Sequence, residues 1–219
     1  MRNWRSRKLR KLVRKGKPSF QYRGSDNGGS DLAGYEVKAR RAGKRGKFKA
    51  DPVATDPSGK PESASDLKVK AGETVCASVR AVDGAGNRSA WSKERCTTRP
   101  FDESALRKEG KWKKVRGKRY SKRHALQAKR PGAALNFLLG RASKVKVLAD
   151  RCSSCGKLAV EVRGHRRKVI DLSKTKKRRS RVTVFNARWP KRKDGRLRLI
   201  ALGGGKVRVD GVAVWRTNK

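Results

Sequence analysis

Four cysteines are the residues in this chain most able to do chemistry: Cys76, Cys96, Cys152 and Cys155. The run "RCSSCG" sets Cys152 and Cys155 at CxxC spacing. A zinc ribbon needs a second such pair, and Cys76 and Cys96 stand 20 residues apart. A thioredoxin-type pair needs a helix N-terminus to lower a thiol pKa. Here the motif falls in a Gly/Ser hairpin between two strand-like runs. A local Cys152–Cys155 disulfide is therefore expected, with a metal site and a redox pair as the alternatives. Cys76 and Cys96 lie on neighbouring strand-like runs, and a bridge there would stabilise by roughly 3 kcal/mol. An even cysteine count in a β-rich chain with one Met fits an oxidising compartment.

Other chemistry is sparse. His124 and His165 are the only histidines. No GxSxG or HExxH occurs, and no Asp or Glu pair suits acid and base roles. The "GGG" at 203–205 precedes a strand rather than a helix, so it is a turn and not a phosphate cradle. No enzyme activity, metal or cofactor is expected. The chain carries 62 Lys and Arg against 18 Asp and Glu, a formal net charge of +44. Residues 51–100 are nearly neutral at +1, whereas 1–50, 101–150 and 151–219 carry +14, +11 and +18. Charge so placed attracts polyanions to the flanks of the chain. Basic blocks interleave with Trp112, Tyr120 and Trp189, a composition also seen on single-strand nucleic-acid surfaces, yet no RNA-binding signature accompanies it.

The elements that must position these residues are strands. Residues 1–17 read as a basic, disordered tail with a marginal helix carrying Leu9, Leu12 and Val13. From residue 18 short alternating runs follow: "SFQYRG", "AGYEVKARR" with Tyr35, Val37 and Ala39 on one face, "KFKA", "DLKVK", "ETVCASVRAV" with Val75, Ala77, Val79 and Ala81 inward, and "AWSKERCTTRP". "DPVATDPSGKPESAS" reads as loop and "DGAGN" as a turn. Residues 99–109 read as a linker. Eight further strands follow from "KKVRG" to "KVRVDGVAVWR", with no helical period, and imply a sandwich or barrel. Lys and Arg at outward strand positions would blunt edges and keep the protein soluble. No apolar run approaches the roughly 20 residues of a membrane span. No signal peptide is visible, so an exported chain would take its address from a longer precursor.

Two resemblances follow from particular residues. Residues 18–98 resemble a fibronectin type III domain of secreted bacterial proteins, through "QYRGSDNGGSDLAGYEVKAR" and "GETVCASVRAVDGAGNRSAWS". The first strand of that family has no counterpart in the basic tail, and Tyr22 stands where a core Trp is common. Residues 110–219 resemble the galactose-binding-like jelly rolls of extracellular bacterial hydrolases, through "KWKKVRGKRYSKRHALQAKRPGAALNF", "KVKVLADRCSSCGKLAVEVRG" and "GKVRVDGVAVWR". In that family such modules bind sugars or act as spacers, and any catalytic domain would lie upstream. The first resemblance implies that Trp91 lies flat on its sheet and stacks on Arg80.

The expected protein is all-β: a basic tail (1–17), a fibronectin-like sandwich (18–98), a linker (99–109) and a jelly-roll-like binding domain (110–219). Its expected work is that of a monomeric, extracellular or cell-surface accessory module. Its expected partner is a polysaccharide or anionic cell-wall polymer, with nonspecific nucleic acid possible at low salt. "RWPKRKDG" reads as a loop. The ligand-binding candidates are therefore Trp189, as a sugar-stacking ring, with Tyr120, Arg188, Lys191 and Arg192. Trp112 and Trp215 are expected in the core. A basic nucleic-acid binder and a pure spacer are the alternatives.

Overall fold

The computed structural model describes residues 3–8, 19–25, 30–60, 62–162, 165–175 and 177–216. Two bodies divide the chain: Met1–Gly43 with Lys47–Arg99, and Lys44–Gly46 with Pro100–Lys219.

The first body contains β1 (Asn3–Lys8), β2 (Ser19–Ser25), β3 (Leu32–Ala42), β4 (Phe48–Ala50), β5 (Ala54–Asp56), β6 (Glu62–Asp66), β7 (Thr74–Asp83) and β8 (Arg95–Thr98). One sheet has the order β1-β2-β6, the other β4-β3-β7-β8 with β5 also pairing β3. Alternation dictates which side chains meet between them. Phe20 and Tyr22 from the first sheet join Tyr35, Val37, Val75, Ala77, Val79 and Ala81 from the second. Tyr22 sits edge-on to Tyr35, with ring centroids 4.8 Å apart, and its hydroxyl donates to Asp56 at 2.8 Å. The buried Tyr thus keeps a hydrogen bond while filling the core.

Several expectations change here. Residues 3–8, expected to be part of a disordered tail, form a strand paired with β2. The helix expected around Leu9, Leu12 and Val13 lies outside the described residues. The segment read as loop from Asp51 contains β5 and β6. "DLKVK" is not a strand beyond Asp66, although Leu67 and Val69 are buried. The last strand shortens to Arg95–Thr98, because Ser89 and Ser92 run beside β7 in another way. Their hydroxyls accept from the N–H groups of Ala81 (2.9 Å) and Val79 (3.0 Å), and their own N–H groups donate to the carbonyls of the same two residues. Side-chain oxygens here replace the backbone carbonyls of a strand partner.

The second body contains β9 (Phe101–Asp102), β10 (Arg107–Glu109), β11 (Lys113–Arg116), β12 (His124–Ala128), β13 (Ala134–Leu138), β14 (Ala142–Arg151), β15 (Lys157–Val162), β16 (His165–Asp171), β17 (Arg179–Lys193), β18 (Arg196–Ala201) and β19 (Val207–Arg216). They form antiparallel sheets of order β10-β13-β18-β15-β16 and β11-β12-β19-β14-β17, with β9 on β19. Leu135, Leu158, Leu197 and Leu199 from the first pack with Val145, Val147, Val209 and Val212 from the second. The expected linker is part of this body: β9 pairs with β19 and β10 with β13. Its apolar residues Phe101 and Leu106 are buried in the core, which is why the segment cannot serve as a free tether.

Both expected disulfides are present, Cys76–Cys96 and Cys152–Cys155. The first joins directly opposed residues of β7 and β8.

Gly211 permits the crossing of β9 over β19. A Cβ there would lie 2.0 Å from the Phe101 carbonyl oxygen, a backbone atom that cannot swing aside. Gly204 takes a positive φ of 72° in open space. Gly211→Ala is expected to destabilise the protein by about 3 kcal/mol. Gly204→Ala should lose only the left-handed preference, about 1 kcal/mol. Denaturant titration of both variants checks the difference, and equal losses would show that β9 does not depend on this close approach.

Candidate polyanion interface

Strand alternation decides the fate of the expected binding residues. β17 runs from Arg179 to Lys193 and includes "RWPKRK", so the expected loop is strand. Arg188 pairs with Lys144 of β14, which in turn pairs with Trp215 of β19. These three therefore share the outer face. Trp189, the next residue, points the other way into the core and is 5% exposed. Its indole offers no face to a sugar, and the stacking role expected for it is corrected. Lys191 is exposed, as is Arg188. Arg192 is on the same strand, and its side chain lies outside the described residues.

Trp112 is in the core as expected. Trp215 is buried but on the outer face, where the Lys144 and Lys146 ammonium groups lie 5.1 and 5.7 Å from its ring centroid. A lysine over an indole face is held by the ring quadrupole. The outer face of this sheet is thus a row of cations with an aromatic beneath them.

Tyr120 is also buried, at 3% exposure, and cannot stack on a ligand. Its hydroxyl donates to Asp150 at 2.5 Å, and Arg178 donates to both, at 3.0 and 3.2 Å. Arg208 lies 3.8 Å from the same carboxylate. Beside it, Asp210 accepts from the Ser121 N–H at 2.6 Å and is 2.9 Å from Arg181 Nε. Burial pushes Asp210 above the usual carboxylate range, and the nearby charge of Glu103 adds to the shift. Burial and the Asp150 carboxylate likewise raise Tyr120. This charged cluster holds the 117–123 segment, in which Lys122 and Arg123 take left-handed φ of 45° and 65°. Lys118, Arg119 and Arg178 line an open cleft of about 330 Å³ beside Tyr120. Sequence reasoning missed Asp150 and Asp210, since nothing local marks them as partners of residues 30 and 89 positions away.

In the first body the expected Trp91–Arg80 contact is present at 4.5 Å, and Lys38 lies 4.1 Å from the same ring. Glu36 accepts from Arg80 at 2.6 Å and Arg88 at 3.0 Å. Those bonds, Arg88 first, hold its carboxyl below the usual range.

No known protein family matches the chain, and no curated protein does. Among solved structures it is similar in part to a family two carbohydrate esterase from Cellvibrio japonicus, at 16% identity and TM-score 0.40, over 54% of this chain and 33% of that one. It is also similar to the insecticidal crystal protein Cry2Aa, at 12% identity and TM-score 0.43, over 74% of this chain and 28% of that one. A third is the N-terminal CBM22-1-CBM22-2 tandem domain from Paenibacillus barcinonensis Xyn10C, at 13% identity and TM-score 0.29, over 99% of this chain and 93% of that one. The chain spans about a third or less of the first two proteins.

Two expectations test these contacts. Trp189→Ala should cost about 3 to 5 kcal/mol of stability, whereas Arg188→Ala on the outer face should cost under about 0.5 kcal/mol. Chemical denaturation measures both, and a silent Trp189 variant would place its indole outside the core. Because the folded-state pKa of Glu36 is depressed, its contribution is present above about 4.5 and is lost as pH falls through the folded value. Thermal melts between pH 2 and 7 should therefore show a flatter acid limb for Glu36→Gln than for the unaltered protein.

Proposed function

We propose that the chain is a non-catalytic extracellular accessory module that attaches to an acidic polysaccharide or anionic cell-wall polymer. In this reading a fibronectin type III-like body carries a jelly-roll-like body that makes the attachment. The three-strand sheet and the β4-β3-β7-β8 sheet support the first assignment. Two antiparallel sheets around one core support the second. The disulfides support an oxidising, extracellular setting. No described helix is long and apolar enough to cross a membrane.

One observation carries the functional reading. Residues 100–219 hold 37 Lys and Arg but 8 Asp and Glu. The fold itself uses seven of these carboxylates. Asp102 pairs with Lys122, Glu103 with Lys114, Glu109 with Arg198, Asp150 with Arg178 and Asp210 with Arg181, while Asp171 accepts from Ser173 and Asp194 from the Arg141 N–H. What the body presents to solvent is therefore an excess of cations. Such a surface binds polyanions by releasing their counterions. Aromatic stacking has little part in it: among the residues whose side chains are described, Trp91 is half-buried against Lys38 and Arg80, and the other Trp and Tyr rings are buried.

The test is retention of the oxidised full chain on polygalacturonate, a neutral dextran and mixed-sequence duplex DNA at about 50 and 200 mM salt, the range over which phosphate contacts lose most affinity. The expected result is retention on the acidic polysaccharide at the higher salt and none on dextran. Retention on DNA alone at the higher salt would replace the reading with a nucleic-acid one. Complete release would leave a spacer whose charge serves solubility.

A further inference from the structure

The two sheets of the second body end on the same side in β16 and β17, each the outermost strand of its sheet. Between them opens a cleft of about 510 Å³. Four cations line it: Arg151 from β14, Lys157 from β15, Lys168 from β16 and Lys174 from the turn that follows. The three lysines are exposed. One carboxylate, Asp171, faces them, and it is already engaged. Its Oδ1 accepts from the Ser173 hydroxyl at 2.6 Å and the Ser173 N–H at 2.9 Å. Arg151 is oriented by donating to the Asp171 carbonyl at 3.2 Å.

The floor is aliphatic. Val169 supplies its accessible carbon at 53% exposure, one of three large exposed hydrophobics among the described residues, while Ile170 and Val184 belong to the core and only border the cleft. A cleft for a bare polyanion has no use for an apolar floor. A sugar ring does, since its C–H face rests on aliphatic carbon while its charged substituent reaches the rim. The walls are also tied together. The Cys152–Cys155 bridge closes the hairpin between Arg151 and Lys157, and the Cys152 N–H donates to the Leu172 carbonyl at 3.2 Å. A rim held in place before binding loses less entropy on binding.

Resting on the attachment reading above, we propose that this edge cleft is the seat of an acidic saccharide unit, a pyranose bearing a carboxylate or phosphate. The lysines and Arg151 meet the anion, and Val169 meets the ring.

The experiment uses the oxidised full chain and compares two variants of equal charge loss. One is the cleft triple Lys157→Gln, Lys168→Gln, Lys174→Gln. The other is Lys111→Gln, Lys129→Gln, Arg130→Gln, exposed cations of the same body outside the cleft. Binding to polygalacturonate, to a phosphorylated mannan and to inorganic polyphosphate is measured by titration at about 150 mM salt, where long-range attraction is screened. The cleft triple should bind at least one of the two acidic polysaccharides about tenfold more weakly, roughly the loss of one charge-assisted contact, with the control triple within about threefold of the unaltered chain. The polysaccharide affected identifies the anion as uronate or phosphate. Equal losses in both triples would overturn the cleft while leaving the attachment reading intact. No binding of the unaltered chain to either polysaccharide would overturn both. Polyphosphate bound as tightly per charge, and lost equally in the cleft triple, would overturn the role of the ring.

Discussion

With 62 cations and 18 carboxylates in 219 residues, the chain must close its cores against a large excess of one sign of charge. Self-repulsion at +44 works against any compact state. The structure meets the constraint by sharing acids. Glu36 serves both Arg80 and Arg88. Asp150 takes Tyr120, Arg178 and Arg208 together. An acid shared in a half-buried setting attracts more strongly than an exposed pair, because less water screens it. The same economy leaves the outer surface with cations in excess.

The second constraint is the two-residue period of a strand. In β17 it separates Arg188 from Trp189, sending one to solvent and its neighbour to the core. On β14 it sets Lys144 and Lys146 outward and Val145 and Val147 inward. No exposed aromatic platform arises on this face, because the ring nearest to it, Trp215, is covered by the two lysines.

Much of the architecture was legible in the residues. Alternation in "ETVCASVRAV" and in "KVKVLAD" reports β7 and β14 because half of each period faces a core. Both disulfides were readable from their positions on neighbouring strands or within one hairpin. Other parts were hidden for physical reasons. β9 and β10 are two and three residues long, too short for a period to show. β17 was obscured by Pro190 among basic residues. A proline is tolerated there since β17 is an edge strand, and its pairing with β14 is irregular between Arg188 and Lys193. The expected linker hid two buried anchors, Phe101 and Leu106. The cleft was illegible because its cations come from two stretches, 151–157 and 168–174, brought together only when the strands pair.

The Cys76–Cys96 bridge has a bearing on fidelity as well as on stability. β8 is a four-residue edge strand, rich in hydroxyl and basic side chains, with little hydrophobic signal to fix where it lies on β7. A slip of one residue would set Arg95 or Thr97 opposite Cys76 and turn every side chain of the strand to the other face. The two sulfurs meet in one alignment alone. Oxidation therefore seals only the correctly aligned strand, while a misaligned one would leave two thiols apart.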